Sequence, residues 1–395
     1  MDVDERIVVI DGARTPIGSF GGQFKDVPAH ELGAAAVTEA IKRSGVTVDD
    51  PAEVVMGCIG QVGPDAYNAR RVAIEAGLPK SVPAFTVNRL CGSGLQAIWS
   101  AAQEMVWNGL EFTVAGGDES MTRMPFYDFG ARSGYKLGNR PLVDGTVAIL
   151  TDPFGGVHMG VTAEAVADKY GVSREEQDAF ALRSQQRAAS NAAKAAFEEE
   201  IVAFEVRGRR GVTVVDTDEH PRPETTLEGL AGLRPAFTEG GTVTAGNASG
   251  INDGAAAVVL ARESVARDRG ATGLVALEQV ATAAMEPGLM GYAPAFALCS
   301  LFEKTGLTPA DIDIVELNEA FASQAVAVTR DAGLDPERTN PYGGAIALGH
   351  PVGATGAILS LRVVKHLRRT GGEFGIVTMC IGGGQALAAL FRRLD

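Results

Sequence analysis

Glu39-Ala-Ile-Lys-Arg-Ser-Gly-Val-Thr47, followed by apolar Val54-Val-Met-Gly57, has a near copy in Leu301-Phe-Glu-Lys-Thr-Gly-Leu-Thr308, followed by Ile314-Val-Glu-Leu317. Gly45 and Gly306 are offset by the same 261 residues as Thr47 and Thr308. Working outward, Gly94-Leu-Gln-Ala-Ile-Trp99 with strand-like Phe112-Thr-Val-Ala115 is echoed by Thr355-Gly-Ala-Ile-Leu359 with Phe374-Gly-Ile-Val377. Each copy reads helix, strand, turn, helix, strand. Such alternation predicts an α/β fold, built twice, of mostly parallel sheets covered by helices. The competing reading is two generic α/β domains joined by a linker.

Between the copies the texture changes. Residues 121–160 are rich in Gly and Pro, 162–198 read as helix, and 207–234 are rich in Arg. Ser173-Arg-Glu-Glu176 is a capping box opening a long Ala-rich helix. Ala255 to Leu260, after Asn252-Asp-Gly254, reads as a strand returning to the first copy. The expected division is therefore 1–120 completed by 246–270, an inserted 121–245 segment, and 271–395.

A chain of 395 residues, 46% hydrophobic, can bury a large core. Its net charge of −14 argues against nucleic acid or an anionic membrane as partner, so an anionic ligand would need a local basic patch. Cysteines at 58, 91, 299 and 380 lack metal-ligand spacing and are too sparse for a disulfide scaffold. With no leader-like start, no peroxisomal tripeptide and no long apolar span, the expected place is the cytoplasm.

Four segments carry candidate chemistry. Cys91 lies in Asn88-Arg-Leu-Cys-Gly-Ser-Gly94, between strand-like Ala84-Phe-Thr-Val87 and a helix expected over Leu95 to Val106. A thiol there meets free N–H groups and a positive helix end, which favour the thiolate. The bland reading is an inert core cysteine. Gly92-Ser-Gly-Leu-Gln-Ala97 also satisfies a dinucleotide fingerprint, but it lies late and its ribose-binding acid is not clearly placed. Gly343-Gly-Ala-Ile-Ala-Leu-Gly-His-Pro-Val-Gly-Ala-Thr-Gly356 puts His350, either a base or a structural histidine, on a loop heading a helix. Cys380-Ile-Gly-Gly-Gly-Gln385 pairs a second thiol with glycines suited to anion stabilisation or to a tight turn. In Asn318-Glu-Ala-Phe-Ala322, Asn318 either orients a water or caps a helix.

Together, in this order and spacing, these segments closely resemble the thiolase family. So do Gly12-Ala-Arg-Thr-Pro16, His158-Met-Gly-Val-Thr-Ala-Glu164, Arg222-Pro through Pro235-Ala-Phe237, and Thr244-Ala-Gly-Asn-Ala-Ser249. The resemblance implies the thiolase fold: duplicated βαβαβαββ halves, a five-layered αβαβα core and an inserted loop domain. It implies that Cys91 is acylated by an acyl-CoA, that His350 accepts its proton, and that Cys380 removes a proton from the α-carbon of a second acyl-CoA. Two oxyanion holes are then implied: His350 with a water held by Asn318, and the backbone N–H groups of Cys91 and Gly382. Coenzyme A is implied as substrate, with no permanently bound cofactor and no metal. Arg222, Ser249, Met159, Met290, Phe237, Phe321 and Ala248 are the implied CoA and acyl contacts. The other arginines of the patch, Arg207, Arg209, Arg210 and Arg234, read as solvated surface.

His158-Met-Gly points to acetyl-CoA and acetoacetyl-CoA, with a degradative 3-ketoacyl-CoA thiolase of broader chain length as the alternative. Departures from the family pattern at Tyr292 and Ala293 fall near the expected acyl pocket, and Asp118, Ala165 and Ala386 also differ. A decarboxylating condensing enzyme needs no Cys380, and a non-catalytic acyl-CoA or lipid carrier needs neither Cys91 nor His350. The family also implies a homodimer or homotetramer, with 121–140 as the tetramer contact.

Overall fold

The computed structural model describes residues 5–209 and 211–395; Arg210, of the basic patch, lies outside the described residues. The first copy forms β1 (Ile7–Arg14), α1 (Ala29–Ser44), β2 (Val54–Gly57), α2 (Asn68–Glu75), β3 (Ala84–Val87), α3 (Ser93–Asn108) and β4 (Phe112–Ser120). The following segment carries α4 (Met159–Tyr170), α5 (Arg174–Ala188) and α6 (Asn191–Glu200), before β5 (Asn252–Arg262) inserts between β1 and β4. The second copy forms β6 (Val275–Ala284), α7 (Ala293–Thr305), β7 (Ile314–Leu317), α8 (Ala322–Asp331), α9 (Thr355–Thr370), β8 (Phe374–Ile381) and β9 (Gln385–Arg393). Gly45 and Gly306 explain the repeated glycine: each ends its helix at φ +72°, a left-handed cap that a side chain would strain.

The capping box of Ser173 and Glu176 is present, but the Ala-rich stretch is interrupted: α5 stops at Ala188 and Ser190 caps α6. The third strand of the first copy survives in the second only as a bridge between Val315 and Thr339. Asn340 ends that ladder. Its backbone turns at φ +49°, while its side chain accepts from Leu317 N and donates to Leu317 O, both at 2.8 Å.

Strand order runs β7-β8-β9-β6-β1-β5-β4-β2-β3, and the two halves touch through the pairs Val8–Ala276 and Val9–Val275. The expectation of mostly parallel sheets is corrected. Only β2–β3, β2–β4 and β7–β8 are parallel, and the remaining main pairings are antiparallel. For β8 and β9 the reason is that one turns into the other through Gly382 to Gly384 with no crossover helix, and a strand so joined must come back antiparallel. Three apolar cores separate five layers. One lies between the first copy's half of the sheet and α1/α2, one surrounds α3 and α9 between the two halves, and one lies between the second copy's half and α7/α8. Among the described residues no helix is long and apolar enough to cross a membrane.

A buried ionic cluster ties the pieces together. Glu200, at the end of α6, accepts from Arg14 Nε at 2.7 Å and from Arg362 Nε and Nη2 at 3.1 and 3.2 Å. Arg14 also donates to both oxygens of Asp218, at 2.7 and 3.0 Å. The Phe197 ring lies beneath both guanidinium groups. Burial alone would raise the Glu200 carboxyl, but Arg362 and Arg14 hold it below its ordinary value. Its removal would leave buried Arg362 with only Glu316, at 3.6 Å, and take from Arg14 one of its two carboxylates, so Glu200→Ala is expected to lose about 3–5 kcal/mol in urea unfolding at pH 7. Because the carboxylate contributes only while ionised, that difference should shrink as pH falls below the ordinary value of 4.5. A loss under about 1 kcal/mol, the range of exposed pairs, would contradict this account.

Candidate active site

Three loops converge on one cavity of about 320 Å³, whose walls include Cys91, His350, Cys380 and Gly382. Cys91 stands at the β3-to-α3 turn, where Leu90 is held at φ +48°, a conformation costing about 1–3 kcal/mol. Ser93 locks that turn by accepting from Arg89 N at 2.9 Å and donating to Leu90 O at 2.6 Å. The helix begins at Ser93, earlier than Leu95.

The expected thiolate is corrected. Burial pushes the Cys91 thiol up to about 11, outweighing the Gly382 and Cys91 N–H groups aimed at the sulfur. Burial, followed by the neighbouring Cys91, raises Cys380 as well. Both sulfurs rest as thiols.

His350 is placed by Asn252, whose Oδ1 accepts its N–H at 2.9 Å. The preceding Gly349, at φ +100°, passes so close that an added Cβ would lie 2.4 Å from the Asn252 side chain. Burial lowers the imidazole to about 4, so the ring is neutral. Its Nδ1 lies 2.6 Å from Thr355 Oγ1, and that hydroxyl donates its hydrogen to Pro351 O at 3.0 Å. The proton therefore sits on Nδ1, and Nε2 carries the acceptor lone pair. Asn318 Nδ2 is 3.4 Å from that Nε2. Asn318 is not a helix cap, since α8 starts at Ala322 behind Phe321, and its buried Oδ1 has no hydrogen-bond partner among the described residues.

Two carboxylates brace these loops. Glu319 accepts from Ser184 Oγ at 2.6 Å, Asn340 Nδ2 at 2.8 Å and Ile346 N at 3.2 Å, joining the Asn318 and His350 segments to α5. Glu119 accepts from Ile59 N and Gly60 N at 3.0 Å and from Gly353 N at 2.9 Å. Burial raises it to about 7 despite those three donors.

Met159, Met290, Phe237, Phe321, Ala248 and Ser249 all line the cavity. The 247–249 turn is stitched to the Asn318 segment through Ser249 N to Ala320 O and Ala322 N to Asn247 O. Arg222 is not among the lining residues. Its side chain is exposed, its N–H donates to Gln185 Oε1 at 2.8 Å, and it follows His220, which abuts the lining residue Gly250. Arg207 and Arg209 lie exposed on a hairpin away from the cavity, whereas exposed Arg234 precedes the lining residue Ala236. Tyr292 and Ala293 are not lining residues either: Tyr292 stacks on Tyr170 and donates to Asp331, and Ala293 is buried.

Sequence reasoning gave no site role to several residues. Thr355 lay in plain view in the histidine loop, one turn beyond His350. His158 stacks on Phe237 with centroids 4.8 Å apart and accepts from Gly160 N through Nδ1, leaving Nε2 as the protonated nitrogen. Ile59 and Met121, also in the walls, are apolar residues with no motif around them.

A half-buried and a buried thiol, a neutral imidazole with an unprotonated Nε2 and backbone donors beside the sulfur define a covalent acyl-transferring enzyme. Residues 7–264 match the family model described as thiolase, N-terminal domain, and residues 271–393 that described as thiolase, C-terminal domain. The chain is 47% identical to beta-ketothiolase BktB of Cupriavidus necator, over 98% of this chain and 99% of that protein. A crystal structure of the Bacillus anthracis acetyl-CoA acetyltransferase superposes with TM-score 0.96 at 40% identity, covering 99% of both chains. Human mitochondrial 3-ketoacyl-CoA thiolase in complex with CoA superposes with TM-score 0.95 at 40% identity, covering 99% of this chain and 98% of that one. The chain belongs to the thiolase family, and its chemistry is that family's Claisen condensation and reverse thiolysis.

Thr355→Val removes the acceptor that holds the proton on Nδ1. It is expected to lower kcat by about 10²-fold, the scale of a lost general base, and Thr355→Ser should restore it. The raised thiol makes a second expectation: alkylation of Cys91 by iodoacetamide should still be accelerating at pH 9, above the free-cysteine value of about 8.5. A plateau below pH 7 would mean a resting thiolate.

Proposed function

We propose that this thiolase condenses two acetyl-CoA to acetoacetyl-CoA and free CoA, and catalyses the reverse thiolysis, with the work divided between Cys91 and Cys380. The observation that carries this reading is the placement of both sulfurs in the walls of one cavity with His350. Cys91 gives its proton to His350 Nε2 and attacks the thioester carbonyl. As the tetrahedral adduct collapses, Cys380 protonates the departing CoA sulfur and becomes the thiolate. That thiolate takes a proton from the methyl group of a second acetyl-CoA, and the carbanion attacks the acetyl group on Cys91. The carbon–sulfur bond breaks, and His350 returns the proton to Cys91.

Negative oxygen develops twice. Gly382 N–H and Cys91 N–H, already directed at the sulfur, suit the first oxyanion. His350 Nε2, protonated at that stage, and Asn318 suit the second; deleting one such donor typically costs about 2.7–4 kcal/mol. Met159, Met290, Phe237, Phe321, Ala248 and Ser249 would hold the pantetheine arm, and Arg222 the adenine end outside the cavity. His158 Nε2–H offers a further donor within it.

The same proposal includes the three-part division of the chain, a cytoplasmic setting that keeps the cysteines reduced, and assembly into dimers or tetramers. The open edge of β3 and exposed Phe129 and Leu137 in the 121–140 segment support the assembly; light scattering would measure it.

Cys91→Ala should abolish acetoacetyl-CoA thiolysis and leave no acetylated protein by mass spectrometry. Cys380→Ser should still be acetylated at position 91 while condensation falls by at least about 10³-fold, comparable to loss of a catalytic group. Acetylation surviving in Cys91→Ala, or normal condensation in Cys380→Ser, would refute the division of labour.

A further inference from the structure

Helices α5 and α8 pack against each other and border a second cleft, of about 660 Å³, which shares no lining residue with the cavity of Cys91 and Cys380. Four polar side chains line it, and two of them are already engaged. Glu176 accepts from Ser173 N in the capping box, and Arg330 donates to Asp331 Oδ1 and to Tyr170 O, both at 2.8 Å. The other two are not. Thr329 on α8 is 6% exposed, and its buried Oγ1 has no hydrogen-bond partner among the described residues. Arg183 on α5 is half-buried, with its guanidinium over the Phe180 ring at 4.9 Å from the centroid and no carboxylate paired with it among the described residues. Burial first, and Arg187 second, hold that guanidinium below its ordinary value, while Glu319 and Glu337 offset only part of the effect. A buried hydroxyl and a half-buried cation without partners are both unfavourable, and one oxyanion set between the two helices satisfies them together.

We propose that this cleft is a ligand site separate from the catalytic cavity, and that it takes an organic monocarboxylate with a short apolar body. The carboxylate accepts from Arg183 and from the Thr329 hydroxyl, and the body lies on Val326, Leu334 and Pro336. The surroundings select a single negative charge. Glu176 lines the cleft and Glu337 acts on Arg183, so a dicarboxylate or a phosphate dianion meets repulsion in a chain already at net −14. Ser184, next to Arg183, donates to Glu319, and α8 follows the Asn318 segment. A bound monocarboxylate therefore ties α5 to α8 behind the active site without entering it.

The test is calorimetric titration of the whole enzyme with octanoate, with and without saturating CoA. Binding should saturate with a Kd on the order of 1 mM, ordinary for so small a ligand, and CoA should leave it unchanged. Arg183→Ala and Thr329→Val should each weaken it by at least about ten-fold, the scale of a lost charge-assisted hydrogen bond. Both variants should keep the wild-type rate of acetoacetyl-CoA thiolysis, which shows that they fold. Octanedioate and inorganic phosphate should bind at least about ten-fold more weakly than octanoate. No saturable binding up to about 20 mM octanoate, displacement by CoA, or undiminished binding in Arg183→Ala overturns the site. Octanedioate or phosphate binding as tightly as octanoate overturns the ligand class.

Discussion

Burial sets the charge of every reacting group in this enzyme. In water a cysteine beside a helix start and a histidine would share protons near neutrality. In the cavity between the two halves, both thiols are pushed up and the imidazole is pushed down. The resting site is uncharged, and charge has to be made during the reaction, next to donors already in place. A fixed tautomer then matters more than a tuned acidity. The Thr355 and Pro351 contacts leave Nε2 free, so the proton leaving Cys91 has a defined destination.

Such a site needs loops that do not move, and the fold supplies buried carboxyl groups to hold them. Glu319 and Glu119 each collect three donors from segments distant in sequence, and Glu200 locks α9, the helix behind His350, to α6 and β1. Duplication explains why the site lies where it does. The α3 and α9 helices are equivalent elements of the two copies and pack against each other in the central layer. Their N-terminal loops, carrying Cys91 and His350, thus open on the same cavity.

Much of this was legible beforehand. The repeat offset at Gly45 and Gly306 announced two equivalent helix ends, and the three glycine-rich segments named the three central side chains. What could not be read was pairing and environment. The antiparallel β8–β9 pair follows from those strands meeting at a glycine turn, and β5 enters antiparallel to both β1 and β4; alternation of strand and helix encodes neither. The thiolate expectation failed because a helix start is visible in sequence whereas desolvation is not. Tyr292 drew notice as an unusual residue near an expected pocket, yet its ring turns to Tyr170 and Asp331. Ile59, Met121 and Val352 mark no motif and acquire meaning only where they surround a sulfur.

The account turns on one sulfur bearing the acyl group while the other moves a proton on carbon. Its most direct measurement is deuterium uptake into the methyl group of acetyl-CoA in D₂O, followed by NMR, in the wild-type enzyme and in Cys380→Ser with Cys91 acetylated to the same extent. The wild type should wash deuterium into the methyl group and the acetylated variant should not. Uptake at the wild-type rate in that variant would contradict the account.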